Sequence, residues 1–537
     1  MAIPVIDIFA GPGGLGEGFC SLLNENRERV FKIALSIEKD ADAHKTLTLR
    51  SFFRQFDLGQ VPNDYFDLMR GEITLDDLKK RWPNEWEEAA KEAWCATLGD
   101  GKDAIKYSAL DNRIAEALDG ANDWLLIGGP PCQAYSVVGR SRRKEIILDA
   151  SKDERVGLYK HYLRILAVHS PSVFIMENVK GLLSAETEES PVFSKILDDL
   201  KNPVRAYLSD FRANGQQLNC PGYKIYSLVA HPNKLDEELN PVYEHKKFVI
   251  RAENYGIPQT RHRVILLGVR NDIDVIPDIL RKNSPVSIAS VLAGLPRIRS
   301  GISKETDSPE VWINAIKQIV KGETLHGVDK KVLKKIKSFL PRLAAPQKDK
   351  GNEYIPCNPN NIGYRRDWFI DNRINGVCNH ASRSHMRSDI LRYFFAACYT
   401  KVHRRSPRII DFPKALLPKH ENVKEAIKDK KFADRFRVQI SFQASKTITS
   451  HISKDGHYYI YYDPTQCRSF TVREAARIQT FPDNYFFCGT RTSQFHQVGN
   501  AVPPLLANKI AVIVKNIFLK MTEHEGTHEN NQRLENA

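Results

Sequence analysis

The chain has 537 residues, with 79 Lys and Arg against 65 Asp and Glu, a formal net charge of +14. Charged residues interrupt each apolar run short of the ~18 residues a membrane span needs, and no basic leader precedes Val5-Ile6-Asp7-Ile8-Phe9, which points away from a membrane or secreted protein. Nine cysteines at irregular spacings form no Cys-x-x-Cys pair, which argues against a disulfide framework or zinc ribbon and fits a reducing cytoplasm.

In chain order, residues 5–9 read as an apolar strand, 11–18 as a glycine-rich turn, and 19–24 as the start of a helix. A second strand covers 31–37, with Glu38 at its end. Residues 50–96 are charged, contain Trp82, Trp86 and Trp94, and predict a helical insertion with no function assigned. A strand at 124–127 ends at Gly128 and Gly129. A helix over 158–168, a strand over 173–176 ending at Glu177, and a strand over 264–269 follow. This alternation predicts an α/β fold, a doubly wound and mostly parallel sheet.

Past residue 290 the pattern changes. Val328, Val332, Leu333, Ile336 and Leu340 recur at helical spacing, with Lys330, Lys331, Lys334, Lys335 and Lys337 on other faces. The stretch 341–376, rich in Pro, Asn and Gly, reads as loop. Helices are predicted at 471–479 and 504–518, and the polar tail from Thr522 as disordered. The charge is equally uneven. Residues 291–468 hold 34 Lys and Arg against 17 Asp and Glu, while the remainder holds 45 against 48. One internal segment thus carries all the excess positive charge, as a polyanion-binding module within a near-neutral enzyme would. The expected divisions are 1–290 for catalysis and cofactor, 291–467 for a basic and smaller mixed domain, 468–521 for a segment returning to the first, and 522–537 for the tail. Cys357, Cys378, His380 and His385 match no standard metal spacing, so no metal is expected.

Two loops carry chemistry. Gly11-Pro-Gly13-Gly14-Leu-Gly16 follows a strand, and Glu38 closes the next one. Glycines let a ligand approach the backbone, and the acid can accept hydrogen bonds from ribose hydroxyls, so this is a nucleoside site. The pattern alone does not separate a nicotinamide dinucleotide from S-adenosylmethionine. In the second loop, Gly128-Gly-Pro130-Pro131-Cys132-Gln133-Ala-Tyr-Ser136, two prolines fix consecutive φ angles and aim a strand-end thiol. Taken alone, that cysteine reads equally as a nucleophile or as a buried core residue.

Four more segments complete a pattern: Phe174-Ile-Met-Glu177-Asn178-Val179, Asn254-Tyr-Gly-Ile-Pro-Gln259-Thr-Arg261-His-Arg263, Arg468-Ser-Phe-Thr-Val-Arg-Glu-Ala-Ala-Arg-Ile-Gln-Thr-Phe-Pro482, and Gln497-Val-Gly-Asn500-Ala-Val-Pro-Pro504. With the glycine and cysteine loops, they resemble the ordered motif set of the DNA cytosine-5 methyltransferases, from residue 5 to about 518. The basic excess lies in the interval where that family carries its target-recognising region.

The resemblance implies a sheet of the S-adenosylmethionine-dependent methyltransferase type with a target-recognition domain. Cys132 would be the nucleophile towards C6 of a flipped cytosine, and Glu177 would contact N3 and the exocyclic amine, its pKa raised by burial. Arg261 and Arg263, on one strand face, would hold the base or its phosphate and support a lowered cysteine pKa, with His262 turned away. Phe9, Gly11, Gly13, Gly14, Glu38, Pro130 and Asn500 would bind S-adenosylmethionine. Gln133, Ser136, Asn178, Val179 and Gln259 would contact the substrate. Arg373, Arg383, Arg387 and Arg392 are candidate DNA contacts. The third-strand acid expected against adenine is left between Asp103 and Asp111. The partners implied are double-stranded DNA and a separate cognate restriction endonuclease. The enzyme is expected to be a cytoplasmic, nucleoid-associated monomer.

Overall fold

The computed structural model describes residues 2–99, 101–131, 154–184, 192–210, 218–359, 361–418 and 434–535. Its centre is an eight-stranded sheet: β1 (Ile3–Ile8), β2 (Phe31–Glu38), β3 (Ala93–Cys95), β4 (Leu125–Gly128), β5 (Val173–Val179), β6 (Tyr223–Ser227), β7 (Val249–Arg251) and β8 (His262–Arg270). The order is β3-β2-β1-β4-β5-β8-β6, with β7 pairing β8. β1 to β5 run parallel, whereas β8 is antiparallel to its neighbours β5 and β6.

The continuous apolar runs of β1, β4 and β5 follow from cover on both faces. Val5, Ile127 and Ile175 pack against α1 (Gly14–Cys20) and the C-terminal helix, while Ile6, Ile8, Leu126 and Met176 pack against helices on the other side. Those helices are α6 (Tyr107–Leu118), α7 (Glu154–His169) and α8 (Val192–Lys201). Each such side chain, once fully buried, contributes about 1.5–3 kcal/mol. The expected insertion is helical: α2 (Ala41–Arg54) leads into α3 (Asn63–Arg70), α4 (Leu75–Arg81) and α5 (Pro83–Glu92). Thr74 and Asp77 form a reciprocal cap at α4. The core of this unit also takes in Ile374 and Cys378, so the insertion braces the basic region.

The basic region has its own core. Helices α9 (Pro309–Lys317), α10 (Lys330–Phe339) and α11 (Arg387–His403) bury Trp312, Ile316, Val332, Ile336, Phe394 and Cys398 together. Between the two cores lie α12 (Val472–Ile478) and α13 (Arg491–Asn500). The last helix, α14, runs Pro504–Glu535.

Several expectations change here. β5 does not stop before Glu177 but continues through it, because β8 extends the pairing to Val179. The supposed loop 341–376 contains a strand, Gly351–Pro356, paired with Gly376–Ala381. The tail is helical to Glu535 rather than irregular from Thr522. The stretch 491–523 does hold an apolar window long enough to cross a membrane, yet 67% of that window is buried inside the protein. Its apolar residues Leu505, Leu506, Ile510, Val514 and Ile517 pack in the same core as Leu15 and Phe19 of α1.

Candidate active site

At the carboxyl end of β1 the chain turns sharply through three left-handed residues, Phe9 (φ 55°), Gly11 (φ 58°) and Gly13 (φ 86°). Glu38, arriving on the parallel strand β2, fastens the turn. One carboxylate oxygen accepts from the Gly11 N–H at 2.8 Å and the other from the Asp40 N–H at 2.8 Å. A Cβ at Gly11 would meet nothing within 4 Å, so this glycine faces open space where a ligand could approach. Gly14, expected to serve the cofactor, is needed by the chain itself: a Cβ there would run into the Val502 carbonyl. Gly18 abuts the Pro504 carbonyl in the same way, and α1 and α14 therefore pack closely. Phe9 is half-buried against the core on one face of the sheet.

Beneath the turn, Asp7 is 1% exposed and burial pushes its carboxyl up to about 8. One of its oxygens, Oδ1, has no hydrogen-bond partner, and the Gly16 N–H serves the carboxyl from above.

One strand over, the cysteine loop leaves β4. Gly129 lies against Glu177, whose Oε2 would stand 3.0 Å from a Cβ at that position. Asn178 is buried. Its Nδ2 reaches towards the Pro130 carbonyl at 3.5 Å, and its Oδ1 accepts from the Val179 N–H at 2.8 Å. Asn178 thus sits at the root of the loop, clasped to the end of β5. Cys132, Gln133 and Ser136 lie outside the described residues.

Because β8 is antiparallel, its first residues lie at the carboxyl edge of β5. Arg263 stands opposite Val179, and its Nε meets Glu177 Oε1 at 2.8 Å. Arg261, by contrast, is turned into the protein. It is 2% exposed, and its Nη1 donates to the carbonyls of Ile448 at 2.8 Å and Gly499 at 3.2 Å. Its Nε has no partner. Burial, then the Arg263 charge, hold its pKa well below the usual arginine range. His262 pairs with Glu253 at 2.9 Å.

Gln259 is fully buried and corrects its expected substrate contact. Its amide donates to the Ile478 carbonyl at 3.1 Å and to Gln479, and it accepts from the Ile448 N–H at 3.1 Å. The side chain splices the return segment to the sheet. Asn500 is exposed at the end of α13, one residue before Ala501, which lies against Gly14.

In the basic region, three of the four candidate DNA arginines are committed to the protein. Arg383 is buried and donates to the carbonyls of Ile452 at 2.8 Å and Lys454 at 2.9 Å. Arg392 pairs with Asp389 at 2.6 Å and binds the Leu416 carbonyl at 2.7 Å. Arg373 pairs with Asp371 at 2.8 Å. Arg387 is half-exposed, in an ion pair with Glu305 at 2.6 Å. Asp111 is held by Arg164 at 2.5 Å and His169 at 2.8 Å, while Asp103 is exposed. Cys378 and His380 serve as structural polar contacts to Met69, Thr471 and Pro296.

Sequence reasoning missed a buried framework under the glycine turn. Glu17 of α1 takes a bidentate pair from Arg50 at 2.8 and 2.5 Å. Tyr485, far along the chain, donates its hydroxyl to the Pro12 carbonyl. No spacing rule links Pro12 to Tyr485, 473 positions along the chain. The available signal was a charged Glu17 set among glycines at a helix start.

A fastened glycine turn and an ion-paired carboxylate at the carboxyl edge of a doubly wound sheet define the class as an α/β enzyme. The model of the family described as C-5 cytosine-specific DNA methylase matches residues 64–203 and 230–516. The chain is 30% identical over 542 residues to the type II methyltransferase M.Bpa9945I of Bacillus paralicheniformis, covering 96% of this chain and 99% of that one. It is 24% identical over 523 residues to the type II methyltransferase M.DdeI of Desulfomicrobium norvegicum, covering 94% and 87%. The chain belongs to the C-5 cytosine-specific DNA methylase family and is a DNA cytosine-5 methyltransferase.

Proposed function

We propose that the enzyme uses S-adenosylmethionine to methylate C5 of a cytosine flipped out of duplex DNA, as the modification arm of a type II restriction system. The Glu177–Arg263 pair beside the cysteine loop is the observation that carries this reading.

The glycine turn suits the cofactor. Gly11 faces open space, Glu38 keeps oxygen lone pairs for ribose hydroxyls, and the Asp7 carboxyl beneath leaves an unsatisfied oxygen. Phe9 would lie against the adenine, with Gly13, Pro130 and Asn500 lining the approach. When bound, the cofactor supplies an electrophilic methyl group carried on a sulfonium.

Cytosine C5 is a poor nucleophile on its own. The Cys132 thiolate would add to C6, forming a C–S bond and making C5 enamine-like. Glu177 would contact N3 and the exocyclic amine, stabilising that adduct. Arg263 would hold the carboxyl in place and meet the base. After methylation, the C5 proton leaves to a base, and expulsion of the thiolate restores the aromatic ring. Flipping the base costs about a few kcal/mol, offset by phosphate contacts from the basic domain. Arg261 would fix the frame on which these groups sit.

The restriction setting rests on the type II methyltransferases that the chain is similar to. It implies a separate nuclease and an enzyme acting as a monomer on DNA in the cytoplasm.

Labelled S-adenosylmethionine incubated with duplex DNA, and separately with tRNA, tests the proposal. Label at C5 of DNA cytosine is expected, together with a covalent complex on 5-fluorocytosine duplex that Cys132→Ala abolishes. Label in tRNA alone, or trapping that survives Cys132→Ala, would sink it.

A further inference from the structure

The segment after α12 bridges the glycine turn and the basic domain. Tyr485 is fully buried and its hydroxyl donates to the carbonyl of Pro12, between the two left-handed glycines. Its ring is packed by Phe481 at 4.8 Å and Phe487 at 5.5 Å between centroids. Its backbone carbonyl accepts from Arg473 Nη2 at 2.8 Å, and Arg473 Nε donates to the Cys378 carbonyl at 2.9 Å in the strand Gly376–Ala381 of the basic domain. The neighbouring Asn484 carbonyl takes the Tyr65 hydroxyl at 2.9 Å and Arg50 Nη1 at 3.3 Å. Arg50 in turn grips Glu17 of α1.

The turn needs such a support. Three of its residues hold left-handed backbone angles, and Pro12 offers no N–H. A hydroxyl anchored in an aromatic cluster fixes the Pro12 carbonyl. We propose that Tyr485 is a positioning residue for the cofactor, holding the turn through Pro12 in the shape that receives it. The inference rests on the S-adenosylmethionine reading above and adds a residue from the far end of the chain to that site.

Tyr485→Phe removes only the hydroxyl. Calorimetry of the full-length variant with S-adenosylmethionine should show Kd raised about tenfold, the worth of one hydrogen bond. KM for the cofactor should rise in parallel, with KM for DNA and kcat at saturating cofactor unchanged. Amide hydrogen exchange at Gly11 and Gly13 should quicken.

Tyr65→Phe is the control, since its hydroxyl serves the same segment without touching the turn. It should lower Tm by a similar amount and leave cofactor Kd where it was. An unchanged Kd in Tyr485→Phe, or equal rises in Kd for both variants, overturns the proposal in favour of plain packing. If the wild type itself fails to bind S-adenosylmethionine, the cofactor reading is what falls, and hydrogen exchange at the turn still reads the support directly.

Discussion

Arg263 and Glu177 meet diagonally across an antiparallel strand pair, with Arg263 opposite Val179 and Ile265 opposite Glu177. A slip of one residue would send the guanidinium to the other face of the sheet. The contact therefore depends on the register of β5 and β8, which the buried run Val264–Val269 sets by packing against both cores.

Glu177→Gln keeps the shape of this side chain and removes its acid chemistry. Methyl transfer should fall by roughly 100-fold or more, with little change in Tm. Arg263→Ala should cost activity and also stability, about 1–3 kcal/mol, because it strands a largely buried carboxylate. Steady-state rates beside thermal melts separate the two. A Glu177→Gln enzyme of normal rate would exclude this residue from the chemistry.

The glycines of the turn should divide by what a methyl group would meet. Gly14→Ala drives a Cβ into the Val502 backbone and should lower Tm sharply, since neither backbone can yield without moving α14. Gly11→Ala meets no atom, and its left-handed angle costs only about 1 kcal/mol. Its main effect should be weaker cofactor binding. Melting curves that rank the two variants in the opposite order would refute the assignment.

Asp7 gives stability a pH dependence. Its carboxyl titrates near 8 in the folded protein, against an ordinary 3.8, because burial disfavours the charged form. Between those values the native state holds a proton that the unfolded chain has released, so stability falls as pH rises through the window and levels off above it. Asp7→Asn, which can still accept from the Gly16 N–H, removes that slope. From about pH 5 to about pH 9, Tm should drop more in the wild type than in the variant. Parallel Tm curves would show that Asp7 is ionised throughout.

Arg383 and Arg387 lie four residues apart in the basic domain and should behave differently. Arg383→Ala leaves the Ile452 and Lys454 carbonyls unserved and should lower Tm, at about 1–3 kcal/mol for each buried group left unpaired. Arg387→Ala removes a half-exposed partner of Glu305, worth about 0–1 kcal/mol, and should leave Tm unchanged. Any loss of DNA affinity in Arg387→Ala should shrink as salt is raised. A large fall in Tm for Arg387→Ala would contradict this division.

The sheet is legible because buried strands read as apolar runs, and β1, β2, β4, β5 and β8 lie close to where those runs fall. The Glu177–Arg263 neighbourhood was legible as motif, but its pairing was not, since nothing local predicts that β8 runs antiparallel to β5. Arginine roles were the least readable. The sequence points Arg261 at the target base or its phosphate and Arg383 and Arg392 at DNA, and only the fold shows them capping backbone carbonyls. The strand Gly351–Pro356 hid behind prolines and asparagines because its partner, not its propensity, makes it a strand. Helix α13 is not legible as a periodic pattern because polar residues crowd it, and Gly499 interrupts it where it meets Ser450.

The close seating of α1 on α14 has a consequence for how the enzyme is made. Gly14 and Gly18 are shaped for backbone that emerges nearly five hundred residues after them. Until then, the ribosome-bound chain keeps the apolar face of its first helix uncovered, a state prone to sticking and to chaperone capture. Methylating capacity would therefore be withheld from incomplete products, and premature termination before Pro504 would yield a chain whose first helix lacks its seat.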